Sequence, residues 1–92
     1  MSEHEEIELR QNVEKGNRVQ EILADPVYQE AVEATKKRLF EEWQQSPLDA
    51  TPQREGAYFA LKGLVRVQEM LSTYSNAGAH AAHTLRLKGK RN

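Results

Sequence analysis

The sequence predicts an all-α protein. Apolar residues recur at intervals of three and four along three segments of the chain, the spacing of a helix face. Two mid-chain pairs, Asp25-Pro26 and Thr51-Pro52, have the form of helix starts: a capping side chain followed by a proline suited to the first helical position. The five residues Ser46-Pro47-Leu48-Asp49-Ala50 separate two of the striped segments, a length that favours an antiparallel helical hairpin. With 92 residues the chain makes one small domain and not two.

The first helix is expected over residues 1–24, from about Glu3 to Ala24. Leu9 and Val13 are one helical pair, and Val19, Ile22 and Leu23 a second, with Ile7 nearby. The stripe is narrow and Gly16-Asn17 interrupts it. A glycine inside a helix costs about 1 kcal/mol relative to alanine, so this helix needs packing to form fully. The second helix, about 26–45, carries Tyr28, Val32, Thr35, Leu39 and Trp43 on one face, widened by Ala31 and Phe40. Its other side holds Glu30, Glu33, Lys37 and Glu41, with Glu33–Lys37 a favourable i,i+4 pair. It stops near Gln45, because Ser46 precedes Pro47 and is pushed away from helical geometry. The third helix is expected over about 52–75, with Tyr58, Leu61, Leu64, Val65 and Leu71 as its main stripe. Phe59, Val67 and Met70 lie off that stripe, which predicts contacts on two sides. Asn76-Ala77-Gly78 reads as the stop. Residues 1–78 then form the helical domain and residues 79–92 a basic C-terminal tail, with a short helix from Ala79 to Leu87 and fraying from Gly89 onward.

Composition removes several function classes. There is no cysteine, so disulfides, thiolate catalysis and cysteine-based zinc sites are absent from this chain. No apolar run approaches the roughly 18 residues of a membrane span. The start, Met1-Ser2-Glu3-His4-Glu5-Glu6, is acidic and lacks the apolar stretch of a signal peptide. Apolar residues make up 38% of the chain and the mean hydropathy is −0.80, so the core is thin. The net charge is only −1, but it is unevenly spread. Residues 1–50 hold twelve acidic against six basic residues; residues 51–92 hold two against seven. An acidic head and a basic tail attract each other, within a chain or between chains.

Sites of chemistry are scarce. His80 and His83 share a helical face three residues apart, but no third ligand is indicated, so no metal is expected. Glu30 with Glu33, and Glu41 with Glu42 beside Trp43, are the carboxylate pairs, but Glu30, Glu33 and Glu41 fall on the polar face and nothing builds the cleft that shifts a carboxyl pKa. No phosphate loop, serine-nucleophile motif or metalloprotease motif occurs. An enzyme, a cofactor and a small-molecule substrate are not expected. Trp43 with Phe40, Tyr28 and Tyr58 is the largest aromatic group; it reads as core near the connector, with a binding anchor as the alternative. Arg86, Lys88, Lys90 and Arg91 form a basic cluster suited to an acidic protein surface or to phosphates, without aromatics that stack bases. A helix-turn-helix is disfavoured by the two prolines around the connector.

One stretch has a further likeness. Asp25-Pro26-Val27-Tyr28-Gln29-Glu30-Ala31, Glu41-Glu42-Trp43-Gln44-Gln45-Ser46-Pro47, Arg54-Glu55-Gly56-Ala57-Tyr58, Leu61 and Leu64 together resemble small helical proteins of tailed-bacteriophage structural and packaging gene cassettes. The resemblance covers about residues 23–74. It implies a virion or assembly context, in the host cytoplasm during assembly with the virion as a further location, and it carries over no catalytic or binding residue. Phage scaffolding proteins are often helical, and some end in a basic element that touches acidic coat surface; the acidic front and basic end of this chain are similar in plan.

The expectation is a non-enzymatic helical protein–protein interaction component of tailed-phage particle assembly, scaffold-like, head-associated or packaging-associated. Tyr28, Val32, Leu39, Trp43, Tyr58, Leu61, Leu64, Val65 and Leu71 form its core or homo-oligomer face, and Arg86, Lys88, Lys90 and Arg91 meet another phage structural or assembly protein. One alternative is a nucleic-acid-binding packaging or regulatory subunit that uses the basic tail. The other is an inhibitor of a host enzyme that presents Glu3, Glu5, Glu6 and Glu8 of the first helix as a DNA-like surface.

Overall fold

A computed structural model of the chain describes residues 1–90, Lys90 by its backbone alone. The described residues form three α-helices and no strand: α1 Glu3–Ala24, α2 Pro26–Gln45 and α3 Thr51–Lys90.

Local chemistry sets most of the helix ends. Ser2 Oγ accepts from the Glu5 N–H at 3.1 Å, and its carbonyl accepts from Glu6, so Ser2 caps α1. Glu3, Glu5 and Glu6 in the first turn suit the positive end of the helix dipole. Asp25 separates α1 from α2, and its Oδ1 accepts from the N–H groups of Val27 (2.7 Å) and Tyr28 (3.2 Å), with Pro26 at the first helical position. Ser46 ends α2 in extended geometry (φ −66°, ψ 137°) before Pro47, and its hydroxyl donates to the Trp43 carbonyl at 2.6 Å. The Arg54 guanidinium then closes the connector. It donates to the carbonyls of Pro47 (2.5 Å) and Leu48 (2.9 Å) and to Thr51 Oγ1 (3.3 Å). The first bond of α3 runs from the Arg54 N–H to the Ala50 carbonyl, so the helix starts at Thr51 rather than Pro52.

The third helix is where sequence and structure part. It spans 40 residues and passes without a break through Asn76-Ala77-Gly78. The expected end near Ser75 is therefore corrected, and the boundary placed at residue 78 falls inside the helix. Gly78 does not take the positive φ of a helix stop. Its neighbours Ala77, Ala79, Ala81 and Ala82 are strong helix formers, and α1 packs directly against it.

Contacts divide the chain into two units. One joins Met1–Leu23 to the part of α3 from Met70 onward; the other is Ala24–Glu69. In the first, α1 packs on the C-terminal half of α3. Glu6 is ion-paired with Lys88, the backbones pass so closely at Gly16 and Gly78 that a Cβ on either would lie 2.8 Å from the other's Cα, and Gln20 Nε2 donates to Ser75 Oγ at 3.4 Å. Partner numbers fall along α3 as they rise along α1, so the two segments run antiparallel. The Lys15 ammonium sits 3.7 Å from the centre of the Tyr74 ring. Residues withdrawn from solvent on α1 are Glu6, Leu9, Val13, Gly16, Val19 and Leu23, at intervals of three and four. The facing set on α3 is Leu71, Tyr74, Gly78, Ala81, Leu85 and Lys88. Gly16 thus lies on the stripe of α1 as its point of closest approach, not as an interruption. Val19 and Ala81 are buried here, and burying a valine contributes about 1.5–3 kcal/mol.

In the second unit, α2 and the first half of α3 lie side by side and, joined by five residues, run antiparallel. Val32 and Ala57 are buried; Tyr28, Lys36, Leu39, Leu61, Leu64, Val65 and Gln68 are half-buried. Thr35, expected on this stripe, is exposed, and its hydroxyl donates to the Ala31 carbonyl at 2.7 Å. Glu33 pairs with Lys36 at 3.8 Å rather than with Lys37.

Candidate functional site

The most distinctive surface lies in the second unit. Leu39, Phe40 and Trp43 from α2 and Ala57, Tyr58 and Leu61 from α3 line an open groove of about 250 Å³. The i,i+3 spacing on α2 stacks Phe40 on Trp43, with ring centroids 6.1 Å apart and planes 29° apart. Tyr58 meets Phe59 edge-on at 5.7 Å, and Lys62 Nζ lies 5.4 Å from the Tyr58 ring centre. Phe40, Trp43 and Tyr58 share the groove, while Phe59 touches Tyr58 outside its lining. Each keeps half or more of its area in solvent: Trp43 50%, Tyr58 52%, Phe40 59% and Phe59 66%. Within a single chain, Trp43, Phe40 and Tyr58 are therefore not core. The reason is geometric. Ala57 is buried between the helices while its neighbour Tyr58 is half exposed, so the larger rings flank the contact instead of filling it.

No charged side chain lines this groove, and the Tyr58 side chain carries the one hydroxyl among its lining residues. Beside the helix ends, Leu48 is 96% exposed on a connector that Arg54 holds by its carbonyls. Phe59, Leu48 and Arg54 were outside the expected site. The adjacent pair Tyr58-Phe59 was the available signal for the first; nothing local marks the other two.

The remaining expected site residues fall as follows. Tyr28, Leu39, Leu61, Leu64 and Val65 are half-buried and Val32 is buried in the second unit; Leu71 is half-buried in the first. Of the basic group, Arg86 is exposed. Lys88 is half-buried and paired with Glu6 on α1. Arg91 and the side chain of Lys90 lie outside the described residues. Acidic head and basic end thus meet within one chain at this pair. The hydrogen bond and the charge of Lys88 hold the Glu6 carboxyl below the ordinary glutamate value of 4.5. His80 and His83 are exposed, and the Thr84 hydroxyl donates to the His80 carbonyl at 3.1 Å. Among the described residues, no three His, Asp or Glu side chains gather as metal ligands, and no helix is long and apolar enough to cross a membrane. Glu30, Glu33, Glu41 and Glu42 are exposed.

No protein-family model, curated protein or solved structure matches this chain.

Proposed function

We propose that this chain is a non-enzymatic interaction component, whose helices complete their apolar packing on another protein surface. The observation that carries this reading is the shortage of core. Among the described residues only Val19, Val32, Ala57 and Ala81 are buried apolar residues, and no large side chain is fully buried. Twelve large apolar side chains are exposed. A chain of this length needs more burial than that for independent stability, and small helical domains commonly gain it by association. An apolar groove without convergent polar groups fits docking and not catalysis.

The assembly setting comes from the resemblance to tailed-phage structural and packaging proteins. In that setting the α2–α3 hairpin provides the apolar contact and the basic end, with Arg86 exposed, faces an acidic partner. The pairing of Lys88 with Glu6 occupies one cation of the basic end, so Arg86 is the exposed one among the described residues. The test is purification of the tagged full chain from cells expressing the genome that encodes it. A particle protein retained in stoichiometric yield, with self-association of the isolated chain, is the expected result. A chain that retains no partner and stays monomeric at high concentration refutes the reading.

A further inference from the structure

Resting on that interaction reading, we infer that the contact between Glu6 and Lys88 is autoinhibitory: in the free chain Glu6 fills a carboxylate site made by Lys88 and Arg10, and an acidic segment of the partner protein takes its place. Glu6, Arg10, Leu85, Lys88 and Gly89 line one open hollow of about 210 Å³, where the start of α1 lies beside the end of α3. The Lys88 ammonium is bonded to Glu6 Oε1. Arg10 stands four residues along α1 from Glu6, on the same side of the helix, and its charge acts on the same carboxyl. Two cations thus converge on one carboxylate.

Three observations make that carboxylate replaceable. The side chains of Glu6 and Lys88 keep 31% and 33% of their area in solvent, so solutes reach the pair, and an ion pair this wet is weak and screened by salt. The α1–α3 contact closes without it, through Leu9, Val13 and Val19, the Gly16–Gly78 crossing and Ala81, so Lys88 can change partner while the helices stay together. A Cβ at Gly89 would meet nothing within 4 Å, which leaves room beside Lys88 for an incoming chain. The resident group also sets the class of its competitor. A carboxylate from outside reproduces the charge-assisted bond that Glu6 makes. Glu3 and Glu5 share the first turn of α1, and their charges oppose a dense polyanion such as nucleic acid more than a segment of spaced carboxylates.

The experiment is fluorescence anisotropy at low salt with a labelled peptide of alternating glutamate and glycine, and with a labelled DNA duplex as second probe. Each is titrated with the full chain, with Glu6→Gln and with Glu5→Gln. Glu5→Gln removes the same charge from the same turn, but Glu5 does not line the hollow. Circular dichroism checks that helix content is kept. Glu6→Gln should bind the peptide about 2–5-fold more tightly than Glu5→Gln, the range set by a competing surface ion pair. In a Lys88→Gln background the same two substitutions should bind alike, because the site is then incomplete. Equal affinity of Glu6→Gln and Glu5→Gln overturns the inference, as does an advantage that survives Lys88→Gln or appears with DNA alone. So does a peptide that no variant binds. A particle protein still retained by the tagged full chain in any of these cases leaves the interaction reading intact. A chain that retains no partner and stays monomeric overturns both.

Discussion

Gly16 and Gly78 make a prediction whose sign is opposite to that of ordinary helix glycines. A Cβ added at Gly78 would lie 2.8 Å from the Asn12 carbonyl oxygen and 2.8 Å from the Gly16 Cα. One added at Gly16 would lie 2.8 Å from the Gly78 Cα and 3.2 Å from the Tyr74 carbonyl oxygen. Non-bonded carbons prefer about 3.5–4.0 Å. The obstructing atoms are backbone, so no side-chain rotation relieves the overlap and the two helices have to shift. Overpacking of this kind costs about 1–3 kcal/mol. Alanine also returns about 0.8–1.0 kcal/mol of helix propensity at either position. The net for Gly78→Ala or Gly16→Ala is a loss of up to about 2 kcal/mol. A Cβ at Gly63 on the same helix meets nothing within 4 Å. Gly63→Ala therefore stabilises, by about 0.4–1 kcal/mol. The propensity gain is common to both, so the difference between Gly78→Ala and Gly63→Ala isolates the helix–helix strain at about 1–3 kcal/mol. The assay is thermal and urea unfolding followed by circular dichroism at one fixed protein concentration, where 1 kcal/mol moves Tm by about 4–8 °C. The double variant Gly16→Ala/Gly78→Ala should cost less than the two singles together, because one shift of α1 relieves both overlaps. Equal stabilisation by Gly78→Ala and Gly63→Ala would refute the close crossing.

Three further outcomes are expected. Arg54→Lys keeps the charge but cannot hold the Pro47 and Leu48 carbonyls with one fork, so urea melts should show a loss of about 1 kcal/mol; wild-type stability would show that the clasp is idle. Asp25→Ala removes the acceptor for the Val27 and Tyr28 N–H groups and should cost about 1 kcal/mol, while Asp25→Asn should recover most of it; the pair of melts fails the idea if both variants lose equally. The Glu6–Lys88 pair depresses the folded-state pKa of Glu6, so its contribution is present above the unfolded value, near 4.5, and is lost as pH falls through the lower folded value. Acid titration of Tm should therefore show a shallower fall for Glu6→Gln than for wild type, and identical acid limbs would count against the pair.

Much of the helix layout was legible because it is written in short-range chemistry. Asp25-Pro26 starts α2 and Ser46-Pro47 ends it by effects confined to neighbouring residues, and both fall where the pattern puts them. The Ser2 cap on α1 has the same short-range origin, a serine three residues before a glutamate. The aromatic surface was legible only in part. Periodicity places Leu39, Trp43, Tyr58 and Leu61 on facing stripes, but it does not say whether Ala57 or Tyr58 is the buried one. That choice sends the rings to the flank and leaves them in solvent.

The sequence by itself determined an α-only protein, the limits of α1 and α2, the connector, and the split between an acidic front and a basic end. Those follow from spacing, capping and charge, which act over a few residues. Tertiary structure decided what two glycines mean. Asn76-Ala77-Gly78 has the local form of a helix stop and Gly16-Asn17 that of a flaw, because a glycine read alone signals only the absence of a side chain. The contact between Gly16 and Gly78 turns both into the crossing point of two helices and carries α3 on to Lys90. It also brings Lys88 to Glu6, so one of the cations read as tail is part of the fold. No local signal could separate these meanings, since the deciding partner lies at the other end of the chain.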